Sequence, residues 1–105
     1  MRILLDQCVP EPLRHELTLA GTIETARFAG LSHLSNGALL TAMAGRFDVL
    51  ITVDGSLHHQ QMMTGRPVSV LLVRAPSNAI DHLRPLVPAI LNAITTIQPG
   101  QVVEV

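Results

Sequence analysis

The sequence contains no lysine, tryptophan or tyrosine, and it has only two phenylalanines and a single cysteine. Each scarcity narrows the choice of function. With two aromatic side chains in all, stacking of nucleic-acid bases on aromatic platforms is not expected. All seven basic residues are arginine, which reads as a coding bias, and the formal net charge is −1. There is no general positive field for a duplex, so any nucleic-acid contact would need a local arginine cluster or a metal ion. Cys8 has no second cysteine to pair with, and the cytoplasm is the expected compartment. Only three apolar residues separate Met1-Arg2 from Asp6, too few for a signal-peptide core. No later apolar run approaches the length of a membrane span. The expectation is a soluble intracellular protein with no membrane partner.

What the chain does have is apolar: 48% of its 105 residues are hydrophobic, enough for one well-buried core built from Leu, Val, Ile, Ala and Met. The whole chain, 1 to 105, reads as one domain. Residues 2 to 5 form a short apolar run, and Pro10 and Pro12 turn the chain into a helix with Leu13, Leu17 and Ala20 on one face, stopped by Gly21. Residues 22 to 27 have strand character with a polar alternation that suits a sheet edge. A loop over 28 to 35 leads to Ser35 and Asn36, either of which can cap a helix over 38 to 46. Strands are expected at 49 to 53, at 68 to 73 and at 101 to 105. Helices are expected at 56 to 63 and at 80 to 97, the latter bent near Pro85 and Pro88. Strict β-α alternation predicts an α/β fold. It is a single-domain three-layer αβα sandwich of the Rossmann-like kind, with a mainly parallel five-stranded sheet in the order 2-1-3-4-5 and right-handed crossovers.

Two strands of that sheet stop on acids. Ile3-Leu4-Leu5 ends on Asp6, and Val49-Leu50-Ile51-Thr52-Val53 ends on Asp54. In a parallel sheet their carboxyl ends share the edge where open α/β sheets bind ligands. Carboxylates gathered there are hard oxygen donors suited to Mg²⁺ or Mn²⁺, and such a site can activate water against a phosphodiester. The structural alternative is that Asp6 caps a turn and Asp54 caps the helix after it. A receiver domain also places acids after its first and third strands, but that chemistry needs a lysine at the last strand end, and this chain has none.

Arg2-Ile-Leu-Leu-Asp6-Gln-Cys-Val-Pro10, followed by a helix and then by Leu50-Ile-Thr-Val-Asp54, resembles the short PIN-like proteins related to VapC-type toxin ribonucleases. The resemblance covers nearly the whole chain. It implies a PIN-like fold and a metal-dependent endoribonuclease, the toxin of a toxin-antitoxin pair, with RNA as substrate and an antitoxin protein as partner. It also implies that Asp6 and Asp54 hold Mg²⁺ or Mn²⁺, that Thr52 supports Asp54, and that Asn36 stands where the family has a helix-start acid. The chain departs from the family pattern at Gln7, Asn36 and Ala38, each of which is an acid in many relatives. Two formal negatives remain where active members have three or more, so metal binding is expected to be weak. The same departures raise the alternative of a catalytically degenerate module that binds a partner protein or RNA.

Arg74, at the end of the 68 to 73 strand, is the candidate phosphate contact, with Ser77 and Asn78 as nearby donors. His58 and His59 point in different directions on a helix and make an unfavourable joint metal site, and His15, His33 and His82 have no ligand spacing. Cys8 reads as a buried structural thiol, and Met43, Met62 and Met63 as core or interface filler. The apolar face of residues 83 to 94 is longer than one small sheet needs, which leaves room for a homodimer.

Overall fold

A computed structural model of the chain describes residues 1–58 and 63–105. Five parallel strands, β1 (Arg2–Leu5), β2 (Thr22–Thr25), β3 (Val49–Thr52), β4 (Ser69–Leu72) and β5 (Val102–Glu104), form one sheet in the order β2-β1-β3-β4-β5. The expected strand order is therefore the observed one. β1 lies at the point where the chain reverses its direction across the sheet. It steps outward to β2, and β3, β4 and β5 are then laid down on the other side.

The inner strands are buried on both faces, as their continuous apolar sequences require. Ile3, Leu5, Val49, Ile51 and Leu71 face one layer, together with Leu13, Leu17, Leu83, Ile90 and Ile94. Leu4, Leu50 and Val70 face the other, with Leu39, Leu40, Met43, Phe47 and Met63. Helices α1 (Leu13–Glu16), α3 (Ile80–Leu83) and α4 (Val87–Ile94) thus cover the first face and α2 (Asn36–Met43) the second. Met43 and Met63 are core filler, as expected.

Local departures from the expected elements have identifiable causes. The first helix is a single α turn followed by a 3₁₀ turn at Thr18–Ala20, because two prolines use up its start. Gly21 ends it at φ +141°, where a Cβ would collide with the carbonyl of Met1. β2 stops at Thr25, since Ala29 N–H returns to Thr25 O at 3.0 Å and turns the chain. The long C-terminal helix is cut by a 3₁₀ turn, Arg84–Leu86, and Pro88 sits in the first turn of α4, where its missing N–H has no helical partner to lose. After β3 the chain forms a 3₁₀ turn, Gly55–His58. The remainder of the helix expected over 56 to 63, with His59 and Met62, lies outside the described residues.

The crossovers do not share one hand. The β1→β2 and β2→β3 steps run in opposite directions and carry their helices on opposite faces, which gives them the same hand. The β4→β5 step runs in the direction of β2→β3, yet α3 and α4 lie on the face of α1. Its hand is therefore the opposite one, against the expectation of uniformly right-handed connections. The physical reason is coverage: α1 is one turn long and leaves most of its face of the sheet bare, and the apolar stripe of α4 fills that surface. In doing so Leu83, Ile90 and Ile94 are buried, and Leu86, Val87 and Leu91 pack against the same core. The inner half of this apolar stripe is thus covered by the chain's own sheet.

Candidate functional site

The carboxyl ends of β1 and β3 meet as the strand order requires, and period-two alternation decides which side chains converge there. Leu4 and Leu50 point toward the α2 layer, so the next residues with that orientation are Asp6 and Thr52. The ladder runs one step past β1, with Asp6 N–H donating to Ile51 O at 3.0 Å. Asp6 is only 8% exposed, and Thr52 is fully buried.

A buried carboxylate needs donors, and this one has three neighbours that supply them. The Thr52 hydroxyl donates to Asp6 Oδ2 at 2.7 Å, and the Gln7 backbone N–H donates to Oδ1 at 2.8 Å. Cys8 Sγ lies 3.6 Å from the same Oδ2 and 3.5 Å from Thr52 Oγ1. With the threonine proton directed at Asp6, the single thiol proton faces the Asp6 Oδ2 and Thr52 Oγ1 oxygens together. Burial pushes the Cys8 thiol above its ordinary value of 9.0, outweighing its hydrogen bonding with Thr52 and the Val53 backbone, and the neighbouring Asp6 charge acts in the same direction as burial. Thr52 Oγ1 also accepts the backbone N–H of Asp54 at 3.0 Å. One buried hydroxyl therefore ties the side chain of one acid to the backbone of the other.

Asp54 is exposed and lies at the head of a tight turn. Its Oδ1 accepts the Ser56 N–H at 3.0 Å, and that bond, helped by the Ser56 hydroxyl and the Asn36 amide, holds its carboxyl below the ordinary value of 3.8. Asn36 opens α2 and donates from Nδ2 to Ser56 Oγ at 2.8 Å. Ser35 takes the N-cap position without a side-chain bond of its own. A hydrogen-bonded ledge thus runs Cys8, Asp6, Thr52, Asp54, Ser56, Asn36. Asp6, Asp54, Thr52 and Asn36 are the four candidates that the structure brings together. Ser56 was not among the candidates, although Asp54-Gly55-Ser56 is a spacing at which an aspartate side chain accepts from the backbone two residues on.

The remaining candidates reach the same sheet edge but are engaged elsewhere. Arg74 pairs with Glu104 at 2.9 Å while its Nη1 passes over the turn at Gly55. Ser77 Oγ accepts Ala79 N–H at 3.1 Å and lies 2.6 Å from His82 Nδ1, closing the entry to α3. Asn78 Nδ2 donates to Cys8 O at 3.0 Å, which pins the loop after β1. On the β2 side of Asp6 a cavity of about 500 Å³ opens, lined by Gln7, Glu11, Arg27 and Ser32 among others. Glu11, Arg27 and Ser32 are not candidates on sequence grounds, because residue spacing does not show which loops rise beside Asp6.

The fit to a divalent metal is limited by the donors. Among the described residues no group of three or more His, Cys, Asp or Glu side chains could hold a metal ion. Asp6 and Asp54 supply two carboxylates, and Asn36 at the start of α2 supplies an amide. Set against protein-family models, curated proteins and solved structures, the chain matches none of them. The fold itself is a Rossmann-like α/β sandwich of the general kind to which PIN domains belong. No helix among the described residues is long and apolar enough to cross a membrane.

Proposed function

We propose that the chain is a PIN-like module without hydrolytic activity, whose carboxyl edge binds a partner macromolecule. The observation that carries this reading is the state of Asp6. In a metal nuclease the first-strand acid must offer its oxygens to the ion, whereas here both oxygens accept hydrogen bonds from Thr52, Gln7 and the Cys8 thiol in a nearly closed setting. Such a carboxylate organises the loop that follows β1. Charge favours a protein over RNA as the partner. Arg2, Arg14, Arg74 and Arg84 are paired with the chain's own acids, and Arg46 and Arg66 donate to Ala29 O and to Thr41. Little cationic surface remains for counterion release from a phosphate backbone.

A second reading, a weakly metal-binding ribonuclease, is favoured by the convergence of Asp6, Asp54 and Asn36 on one ledge. In it Asp6 and Asp54 would hold Mg²⁺ or Mn²⁺, the ion would supply an activated water, and Arg74 would steady the phosphate of RNA. An antitoxin would then be the partner that silences it.

One experiment separates the two. Melting temperature is followed with added Mn²⁺ for the wild type, Asp54→Asn and Asn36→Asp, alongside cleavage of single-stranded RNA. The module reading expects no stabilisation and no cleavage by the wild type, and a gain of Mn²⁺ binding once Asn36→Asp restores a third carboxylate. Stabilisation of the wild type together with cleavage that Asp54→Asn abolishes would overturn it.

A further inference from the structure

The ionic groups of this domain are almost all satisfied internally, and the exceptions lie together. Of the seven arginines, only Arg27 has a guanidinium with no hydrogen bond, ion pair or ring contact among the described residues. Of the eight acids, only Glu24 is in the same position, since Asp6 and Asp54 belong to the ledge and the other five are paired with arginines. Glu24 is in β2 and Arg27 two residues beyond its end, and both line a cavity of about 420 Å³ with Ile23 and Phe28.

The exposed apolar groups point to the same place. The large hydrophobic side chains that remain exposed among the described residues are Leu19 at 91%, Phe28 at 81% and Met1 at 49%. Leu19 precedes β2, Phe28 follows it, and the carbonyl of Met1 accepts the N–H of Thr22. β2 is also an edge strand. Thr22 and Ala26 donate inward to Met1 and Leu5, so by alternation the N–H groups of Ile23 and Thr25 point away from the sheet.

We propose that the β2 edge is a homodimer interface, with two copies joined antiparallel across a two-fold axis that passes within Ile23–Thr25. A self-complementary surface is what a two-fold contact requires, and one unpaired cation beside one unpaired anion supplies it. With the axis at Thr25, Glu24 of one protomer lies opposite Ala26 of its partner and next to the partner's Arg27, a contact that occurs twice, while Leu19 and Phe28 flank the seam. Main-chain bonds across the seam join the two sheets into one of ten strands. This interface leaves the ledge of Asp6 and Asp54 open, and it stands independently of how that ledge functions.

The test is the mass in solution by light scattering and sedimentation for the wild type, Arg27→Glu, Glu24→Arg and the double variant, each checked for unchanged circular dichroism. The wild type is expected to dimerise with concentration. Each single reversal places four like charges at the seam and weakens the dimer by at least about tenfold. The double variant restores it, and an equimolar mixture of the two single variants forms a heterodimer. Phe28→Ser weakens association without altering charge. On the wild type alone, exchange of the Ile23 and Thr25 amides is expected to slow as concentration rises. A wild type that stays monomeric at roughly millimolar concentration would overturn the proposal and leave Glu24 and Arg27 as charges that keep a sheet edge from pairing. So would a dimer that is indifferent to the reversals, or exchange at Ile23 and Thr25 that does not depend on concentration.

Discussion

Thr52→Val removes one oxygen from a fully buried site at nearly constant volume and so isolates the bond that ties the ledge together. The lost hydroxyl donates to the Asp6 carboxylate at 2.7 Å, a charge-assisted bond that contributes about 1.5–3 kcal/mol. It also accepts the Asp54 N–H at 3.0 Å. That amide lies close to solvent, and losing its partner costs about 0.5–1 kcal/mol. The added buried methyl offsets about 0.5–1 kcal/mol. The net expectation is a loss of about 1.5–3 kcal/mol, or roughly 6–24 °C in Tm for a domain of this size. Urea unfolding of the wild type, Thr52→Val, Asp6→Ala and the double variant closes a cycle whose coupling is expected at about 1.5–3 kcal/mol. A loss below about 0.5 kcal/mol, or a coupling near zero, would refute the assignment of Thr52 as the tie between the acids.

Two further expectations follow from titration. The Cys8 thiol, raised above 9.0 by burial, is expected to alkylate more slowly in the folded than in the unfolded chain near pH 8. Because the folded form keeps its proton longer, this group's contribution is complete below pH 9.0 and falls away as pH rises through the folded value, so Cys8→Ala should flatten the alkaline loss of stability. Asp48 is held below 3.8 mainly by the Arg2 backbone N–H and then by its guanidinium. Its contribution is present above pH 3.8 and is lost as pH falls through the lowered value, so Asp48→Asn should shallow the acid limb of a plot of Tm against pH.

Much of the fold was legible because its signals are local. Runs such as Ile3-Leu4-Leu5 and Val70-Leu71-Leu72 are apolar on both faces, which only a covered parallel sheet accommodates, and Gly21 marks a backbone turn that no other residue enters. The acid ledge was legible for the same reason: Asp6 and Thr52 follow Leu4 and Leu50 by strict alternation, and neighbouring parallel strands end at one edge. What covers the apolar face of residues 83 to 94 was not legible, because amphipathic spacing identifies a buried stripe without saying what buries it. The answer depended on α1 being a single turn, which left a bare sheet face that α4 covers.

By itself, then, the sequence determined the α/β alternation, the strand order, and the meeting of Asp6, Thr52 and Asp54, since each follows from periodicity along the chain. Only the tertiary structure decided what those groups do to one another. It directed the Thr52 hydroxyl and the Cys8 thiol at Asp6, paired Arg74 with Glu104 thirty residues away, and left Glu24 and Arg27 as the acid and the arginine whose side chains have no partner among the described residues. Hydrogen bonds and ion pairs of this kind are set by angstrom-scale distances between segments remote in sequence, and residue spacing carries no record of them.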